Sequence, residues 1–280
     1  KILIATDLSA RSDRALERAV NIAREHDAEL AIVHVIDEDL PKALSEAQHR
    51  AAETAIEAEV TRLGSEGGLR VSTHIVFGRA YHDILSLAEE IGADLIVLGM
   101  HRVDALKDMF RGTTVERVIR AGRLPVLLVK NRVSGAYKQA LVGVDFSVYA
   151  RRAVEFAVKF APGGTFHLVH AYDVPFSGFL YGTDTRKEVN KQHQDSFDRM
   201  VESEMAAFLT GLEGAPPKLE KIMEEGAVRE VIGSQVSRLN PDLLVIGTHG
   251  RTGVAHAFLG SVAEDLLKSP PCDVLVVKAW

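Results

Sequence analysis

The sequence predicts two α/β domains in tandem, each an open, parallel, five-stranded sheet with helices on both faces. Two observations lead to this prediction: four apolar segments recur in the same order, and apolar strands alternate with amphipathic stretches. The chain has 280 residues, whereas one domain usually holds about 100–200. We therefore expect one domain over residues 1–132 and a second over residues 138–280.

The internal repeat is visible in four pairs of segments. The pairs are residues 1–9 with 139–147, 31–35 with 167–171, 93–99 with 241–247, and 125–130 with 272–278. The offset is 138 between Asp7 and Asp145 but 148 for the last two pairs. The second copy therefore carries an insertion, which falls within residues 172–220. The polar stretch 131–136 joins the copies and is short enough to hold them side by side.

The strands of the first copy are nearly continuous apolar runs, as expected when helices cover both faces of a sheet. They are predicted near residues 2–6, 30–36, 71–76, 94–99 and 125–130. Between them lie helical stretches, of which residues 42–63 form the longest. Such alternation gives a parallel sheet with right-handed crossovers, and ligands of open parallel sheets bind at the carboxyl ends of the strands.

A glycine motif follows the fourth strand of the second copy. Gly247 and Gly250 are followed, after nine residues, by Gly260 and Ser261, and a helix is predicted from there to Lys268. Glycines let backbone N–H groups approach an anion closely, and a helix N-terminus favours phosphate. The alternative is that Ser261 merely caps the helix in a capping box with Glu264.

The first copy keeps the spacing of this motif but changes one position. Gly99 is followed by Arg102 where the second glycine should stand, and then by Gly112 and Thr113. The Arg102 guanidinium would either fill the phosphate site or bind phosphate itself. Thr113 and Glu116 again have the spacing of a capping box.

With these residues the chain resembles the universal stress protein family in its tandem two-domain form. The resemblance rests on the Asp after strand one, the His at the end of strand two, the Asp before strand four and the glycine loop. It implies a Rossmann-like, adenine-nucleotide alpha-hydrolase-like fold, whose domains pair through residues 126–129 and 274–277. It also implies ATP as the ligand, with or without Mg²⁺.

In ATP-binding members of that family, the loop holds ribose and phosphates, and the strand-one Asp and the residue after the strand-two His contact adenosine. Carried over to the second copy, the implied set is Asp145, Ala171, Gly247, Gly250, Gly260, Ser261 and Val262. The corresponding positions of the altered first copy are Asp7, Val35, Gly99, Arg102, Gly112 and Thr113.

Some of these positions have alternative interpretations. Asp145 could accept hydrogen bonds from ribose or cap the helix that begins near Val148, although Ser147 is the better cap. His34 and His170 are expected to be hydrogen-bonded structural histidines rather than metal ligands. The apolar insertion at residues 172–185 would form a lid or partner surface, or else pack on the long helix predicted near 186–210.

The expected function is an ATP-binding stress-response or signalling protein, in which nucleotide in the C-terminal domain modulates conformation or association. The alternatives are a slow Mg²⁺-dependent ATPase or phosphotransferase and a scaffold that binds no nucleotide. Phosphoryl transfer usually needs a positioned Lys, metal ligands and a base. The sequence has no G-x4-G-K-S/T motif and no kinase signature, so no catalytic residue is assigned.

Composition narrows the partners and the compartment. The net charge is -6, which gives no indication of a basic surface for nucleic acid. The sequence contains no run of about 18 apolar residues, so no membrane span is predicted. Cys272 is the one cysteine, so a disulfide within the chain and a cysteine metal cluster are excluded, and it is expected to be a small buried hydrophobe. We expect a cytoplasmic protein that forms a homodimer of tandem chains.

Overall fold

The computed structural model describes residues 1–65, 67–100, 113–173, 184–212, 218–248 and 261–278. The strands in these ranges are β1 Ile2–Ala5, β2 Leu30–Asp37, β3 Val71–Gly78, β4 Leu95–Gly99, β5 Val126–Val129, β6 Gln139–Gly143, β7 Thr165–Tyr172, β8 Leu219–Glu225, β9 Leu243–Gly247 and β10 Asp273–Val277. The helices are α1 Ala10–Glu25, α2 Lys42–Ser65, α3 Ala80–Glu90, α4 Thr114–Ala121, α5 Val148–Phe160, α6 Asp184–Thr210, α7 Val228–Leu239 and α8 Ser261–Lys268. The strands predicted in the first copy and the long helix of residues 42–63 are confirmed, with ends shifted by two residues at most.

The strands form one ten-stranded sheet in the order β3-β2-β1-β4-β5-β10-β9-β6-β7-β8. All pairs within each half are parallel, and β5 pairs with β10 antiparallel, with Leu127 opposite Leu275. These two leucines are equivalent in the repeat, so a pseudo-twofold axis passes between them. The pairing of domains through residues 126–129 and 274–277 is therefore confirmed, and it fuses the two five-stranded sheets edge to edge.

Helices cover both faces of the sheet. One apolar cluster packs α1 and α5 on the sheet and runs through both halves without a break; it includes Ala15, Ala19, Val154 and Phe166. The other contains residues of α3, α4, α7 and α8. Central strand residues such as Leu3 and Leu244 are fully buried, and each buried leucine contributes about 1.5–3 kcal/mol to folding.

The helices that follow β1 and β6 begin at equivalent serines. Ser9 and Ser147 accept hydrogen bonds from backbone N–H groups three residues later and so satisfy donors that the helix itself cannot. Thr113 and Glu116 form the capping box predicted for α4, with the N–H of Glu116 donating to Thr113 Oγ1 at 3.2 Å and the Thr113 N–H donating back to the Glu116 carboxylate.

A buried carboxylate joins the two halves at the seam between β5 and β10. Asp273 is fully buried; its Oδ1 accepts the backbone N–H groups of Lys130 and Asn131, each at 2.9 Å. Its Oδ2 accepts the Tyr137 hydroxyl at 2.7 Å and lies 3.3 Å from Nε of the buried Arg18. A buried charge is tolerated when it is paired and hydrogen-bonded in this way. Burial and the Asp273 charge raise the pKa of Tyr137 well above its usual value.

This arrangement occurs once, although the fold is duplicated. Phe156 occupies the position of Arg18 in the second copy, and Pro125 occupies the position of Asp273 in the first. The charged pair thus joins α1 of the N-terminal half to β10 of the C-terminal half, and the pseudo-twofold mate of the pair is apolar.

A second pair of contacts across the seam is symmetric. Lys130 Nζ donates to the carbonyl of Pro270 at 2.6 Å, just beyond the end of α8. Lys278, its repeat equivalent, donates to the carbonyls of Arg120 and Gly122 at the end of α4. Cations are favourable near helix C-termini, where carbonyls lack partners. Burial lowers the pKa of Lys278 from 10.5 to about 8.

The Asp273→Asn variant is expected to lose about 3–5 kcal/mol of unfolding free energy, because the buried Arg18 guanidinium is left without a counter-charge. Urea denaturation of wild type and variant measures the loss. The double variant Arg18→Met/Asp273→Asn should lose less than the sum of the two single variants. Strictly additive losses would show that the two side chains do not stabilise each other.

Lys278 should give stability a pH dependence of known sign. Because folding lowers its pKa to about 8 from 10.5, the unfolded chain binds more protons between these values, and this group makes stability rise with pH there. Folding raises the pKa of Cys272 to about 12 from 9.0, so this thiol makes stability fall as the pH rises above 9. The contribution of the thiol is expected to be the same in wild type and in a Lys278→Met variant. The difference in unfolding free energy between the two proteins should therefore change across this window, and a constant difference would contradict the assignment.

Cys272 is 2% exposed and its pKa is raised to about 12 by burial, which confirms the small buried hydrophobe predicted from sequence. Since the thiolate is the reactive form, a thiol reagent should label the native protein only as fast as β10 opens. Labelling should become faster in Asp273→Asn, whose substitution lies one residue away. Rapid labelling of native wild type would contradict this burial.

Candidate functional site

The order of the strands reverses once in each half of the sheet. In the N-terminal half β2 and β3 lie on one side of β1, and β4 and β5 lie on the other. In the C-terminal half β7 and β8 lie on one side of β6, and β9 and β10 lie on the other. The crevice outside the carboxyl ends of such strands is where open α/β sheets bind ligands. The predicted site residues follow these strands in both halves.

In the N-terminal half this crevice is a cavity of about 170 Å³. Asp7, Val35 and Gly99, predicted from three separate strands, line it together. Thr113 caps α4 directly beside the lining residue Thr114. Arg102 and Gly112 lie outside the described residues. Three of the predicted positions of this half thus meet at one cavity.

In the C-terminal half the predicted residues lie at the equivalent places. Asp145 follows β6, Ala171 is half-buried in β7, and Gly247 ends β9. Val262 is half-buried in α8, and Ser261 is the first residue of that helix. Gly250 and Gly260 lie outside the described residues, as do the loop residues His101, His249 and Arg251 and the insertion residues 174–183.

A strained turn connects strand to helix at both sites, and sequence reasoning did not anticipate it. Leu8 has φ 59° and Phe146 has φ 63°, a left-handed conformation that costs a residue with a side chain about 1–2 kcal/mol. In each copy the preceding Asp accepts the N–H of the following Ser at 3.0 Å through Oδ1. The sequence signal for this turn is the repeated D-x-S pattern. Its middle residue is Leu8 or Phe146, and neither residue type predicts a positive φ. Strained backbone conformations cluster at functional sites, and this one recurs at both equivalent crevices.

Asp145 positions this turn instead of capping the helix. Its Oδ1 also accepts the Ser147 hydroxyl at 2.6 Å, while Ser147 Oγ accepts the Ala150 N–H at 3.1 Å. Ser147 is therefore the N-cap, as its residue type favoured. The Asp145 carboxylate is half-buried at the carboxyl edge, where a ligand hydroxyl could reach it.

The two strand-two histidines orient the exit of the first strand. His34 Nδ1 bonds the carbonyl oxygen of Thr6 at 2.9 Å, and His170 Nδ1 bonds that of Val144 at 2.8 Å. The structural role expected for both is confirmed. Within the described ranges, no group of three or more His, Cys, Asp or Glu side chains could hold a metal.

Gly99 has a packing reason as well as a predicted ligand role. A Cβ at this position would lie 3.1 Å from the carbonyl oxygen of Arg11 and 3.2 Å from Cα of Ser12. The end of β4 therefore approaches the first turn of α1 so closely that a side chain would force the two apart. Close packing therefore favours a glycine at this position, in addition to its predicted ligand role.

The two turns are held by different chemistry. In the N-terminal half Thr6 donates to Ser12 at 2.9 Å and accepts the Leu8 N–H at 3.0 Å. In the C-terminal half the equivalents of Thr6 and Ser12 are Val144 and Ala150, which cannot make these bonds. There the ring of Phe146 packs on His170, with centroids 4.1 Å apart, and on Phe208.

Comparison with known proteins gives a consistent result. The sequence model described as the universal stress protein family matches residues 1–130 and 136–278. A universal stress protein of Mycolicibacterium smegmatis is 25% identical over an alignment that is 301 positions long, covering 99% of this chain and 96% of that protein. Universal stress protein MJ0531 of Methanocaldococcus jannaschii is 34% identical over 139 residues, covering 46% of this chain and 81% of that protein.

Structural comparison agrees at the level of the fold. The crystal structure of a universal stress protein from Archaeoglobus fulgidus aligns with a TM-score of 0.70 and 22% identity, covering 99% of this chain and 97% of that one. Among the helices of the described ranges, none combines the length and the apolarity that a membrane span requires. The chain belongs to the universal stress protein family, with two copies of the family domain in tandem.

Proposed function

We propose that the C-terminal domain binds ATP and that its occupancy modulates the conformation or association of the tandem, as expected of a stress-signalling protein. The observation that carries this proposal is the strained Asp145–Ser147 turn at the point of strand reversal, beside β7 and β9. It presents a half-buried carboxylate at the edge where a nucleotide would lie.

Each part of a nucleotide has a suitable group there. The Asp145 carboxylate would accept hydrogen bonds from ribose hydroxyls, and the small Ala171 leaves room for the base. Gly247, Gly250 and Gly260 would let backbone N–H groups approach the phosphates. The N-terminus of α8, which begins at residue 261, would add free N–H groups and a positive dipole end.

The N-terminal half keeps the cavity but changes the phosphate loop. Asp7, Val35 and Gly99 line its crevice, while Arg102 replaces the second glycine. We expect the Arg102 side chain to take the space of a triphosphate or to hold a smaller anion. The two halves would therefore differ in nucleotide affinity.

Helix α8 offers a route from nucleotide to conformation. Its first turn contains Glu264, whose carboxylate pairs with Arg120 of α4 in the other half. Just past its last turn, Lys130 of the N-terminal half binds the Pro270 carbonyl. A phosphate that pulls on the N-terminus of α8 would act on a helix already tied to the N-terminal half at both ends.

The test is the Gly250→Arg variant, which copies Arg102 into the C-terminal loop. Wild type, denatured after purification or titrated with ATP in a calorimeter, should show adenine nucleotide at about one per chain. The variant should lose it, because a side chain stands where backbone must meet phosphate. Gly163→Arg is the matched control, since a Cβ at Gly163 in the same half meets nothing within 4 Å, and it should bind as wild type does.

The outcomes separate the alternatives. Nucleotide retained by Gly250→Arg would contradict the loop assignment, and a folded wild type that never binds nucleotide would favour a scaffold. Turnover of ATP at an ordinary enzyme rate of about 1–1000 per second would favour an enzyme instead. Sizing with and without nucleotide measures the effect on association.

A further inference from the structure

The ten-stranded sheet ends in two outer strands, β3 and β8, which occupy equivalent places in the two halves. Among the described strands, each of them has a neighbour on one side only. Strand β3 is eight residues long and pairs in parallel with β2 along its whole length. An outer strand presents a row of backbone N–H and C=O groups to the outside, which makes it a template for pairing with another chain.

Hydrogen bonds to β2 show which residues of β3 turn their backbone outward. The Leu30 N–H donates to the carbonyl of Arg70 at 2.9 Å, and the Glu38 N–H donates to that of Gly78 at 3.4 Å. Because backbone direction alternates along a strand, the even-numbered residues bond β2 and the odd-numbered ones face the open edge. The outward residues are Val71, Thr73, Ile75 and Phe77. All of them are β-branched or aromatic, which are the types that favour strands.

The equivalent edge of the C-terminal half carries charges. At the offset of 148, Thr73 corresponds to Lys221 and Phe77 to Glu225. The two outer strands have equivalent registers with their neighbours, so Lys221 and Glu225 also turn outward. Charged residues, and lysine above all, prevent edge strands from pairing in natural sheets. Strand β3 contains no Asp, Glu, Lys or Arg, so it lacks the protection that β8 has.

The open edge of β3 also exposes apolar surface. Phe77 is 50% exposed, and its ring stacks on the ring of His49 from α2, with centroids 5.3 Å apart. Ser72 and Thr73 are exposed as well. Covering an exposed aromatic ring removes apolar area from water, which favours association at this edge.

We infer that β3 pairs antiparallel with β3 of a second copy of this chain, around a twofold axis at His74. In this register, Val71 lies opposite Phe77 of the second copy. Thr73 likewise lies opposite Ile75 of the second copy, so every outward residue enters a hydrogen-bonded pair. The twofold axis provides each of these pairs twice. Aromatic and β-branched side chains are favourable cross-strand neighbours, so the strand is complementary to itself.

The charged residues that flank β3 are compatible with this pairing. Arg79 Nε lies 2.9 Å from a carboxylate oxygen of Glu38, and Arg70 Nε lies 4.0 Å from one of Glu29. Each arginine therefore has an acidic partner in its own chain. The contact is also of a kind that the chain already uses, since β5 and β10 join the two halves by antiparallel pairing of edge strands.

The register predicts a disulfide at the twofold axis. Opposite residues between two hydrogen-bonded pairs have Cα atoms about 4.5 Å apart, within the range that a disulfide spans. His74→Cys should therefore form a covalent dimer under mild oxidation, measured by non-reducing electrophoresis. Thr73→Cys is the control, because its counterpart lies diagonally across the axis at about 7–8 Å, and it should crosslink far less. Equal crosslinking of the two variants, or none in His74→Cys, would overturn this pairing.

Thr73→Lys copies Lys221 onto the open edge and tests the association itself. Sedimentation without nucleotide, which keeps the result independent of the ATP proposal, should show wild type in equilibrium between monomer and dimer. Thr73→Lys should raise the dissociation constant at least about tenfold, which corresponds to about 1.4 kcal/mol. Lys221→Glu keeps the other edge charged and should associate as wild type does.

Two outcomes of this measurement would overturn the inference. One is a wild type that stays monomeric at about 1 mM chain, where even a weak complex would form; the edge would then be left to a different partner. The other is a folded Thr73→Lys that dimerises as wild type does, which would place the interface elsewhere. Because Thr73 is exposed and its equivalent is a lysine, the variant is expected to fold.

Discussion

The fully buried carboxylate of Asp273 is the contact on which the tandem arrangement depends. It binds the end of β5, the linker residue Tyr137 and the Arg18 side chain of α1, and so ties three parts of the N-terminal half and linker to the first residue of β10. Because β5 and β10 are antiparallel, the carboxyl ends of the two half-sheets point in opposite directions. The two crevices therefore lie on opposite sides of the sheet along the strand direction, each at the carboxyl ends of the strands of its own half.

Duplication has been followed by paired changes at contacting positions. Where Thr6 bonds Ser12 in one half, the other half has two apolar residues, and where Arg18 meets Asp273, the mates are Phe156 and Pro125. A single change at any of these contacts would leave a buried polar group without its partner, which costs about 1–3 kcal/mol or more. Divergence of the two halves thus proceeds by pairs, and the residues that differ together identify the contacts that matter.

Sequence alone was sufficient for the fold and for the edge of the sheet at which the site residues gather. Apolar runs set the strands, and the repeat identified equivalent residues, so that Asp7, Val35 and Gly99 could be assigned to one crevice from three distant segments. The left-handed turn at Phe146 could not be predicted, because neither Phe146 nor its equivalent Leu8 is a residue type that favours positive φ. Asp273 was also missed, since a carboxylate at the start of a strand gives no sign that a guanidinium from the other half will reach it.

The seam and the proposed nucleotide site meet in helix α8. Its N-terminus lies at the carboxyl edge of its own half, and the carbonyl beyond its C-terminus accepts a hydrogen bond from Lys130 at the carboxyl end of β5. Helix α4 has the equivalent contact from the other half, because Lys278 beyond β10 donates to the Arg120 carbonyl near the C-terminus of α4. The ion pair between Arg120 and Glu264 joins the two helices. Eight residues of helix span about 12 Å. Under the proposed function, a shift of α8 toward a bound anion would therefore also move the C-terminal end of this short helix, next to the contact between Lys130 and Pro270. Under the proposed function, the loop that keeps both of its first two glycines belongs to the C-terminal half, so the nucleotide would act on this network from that half.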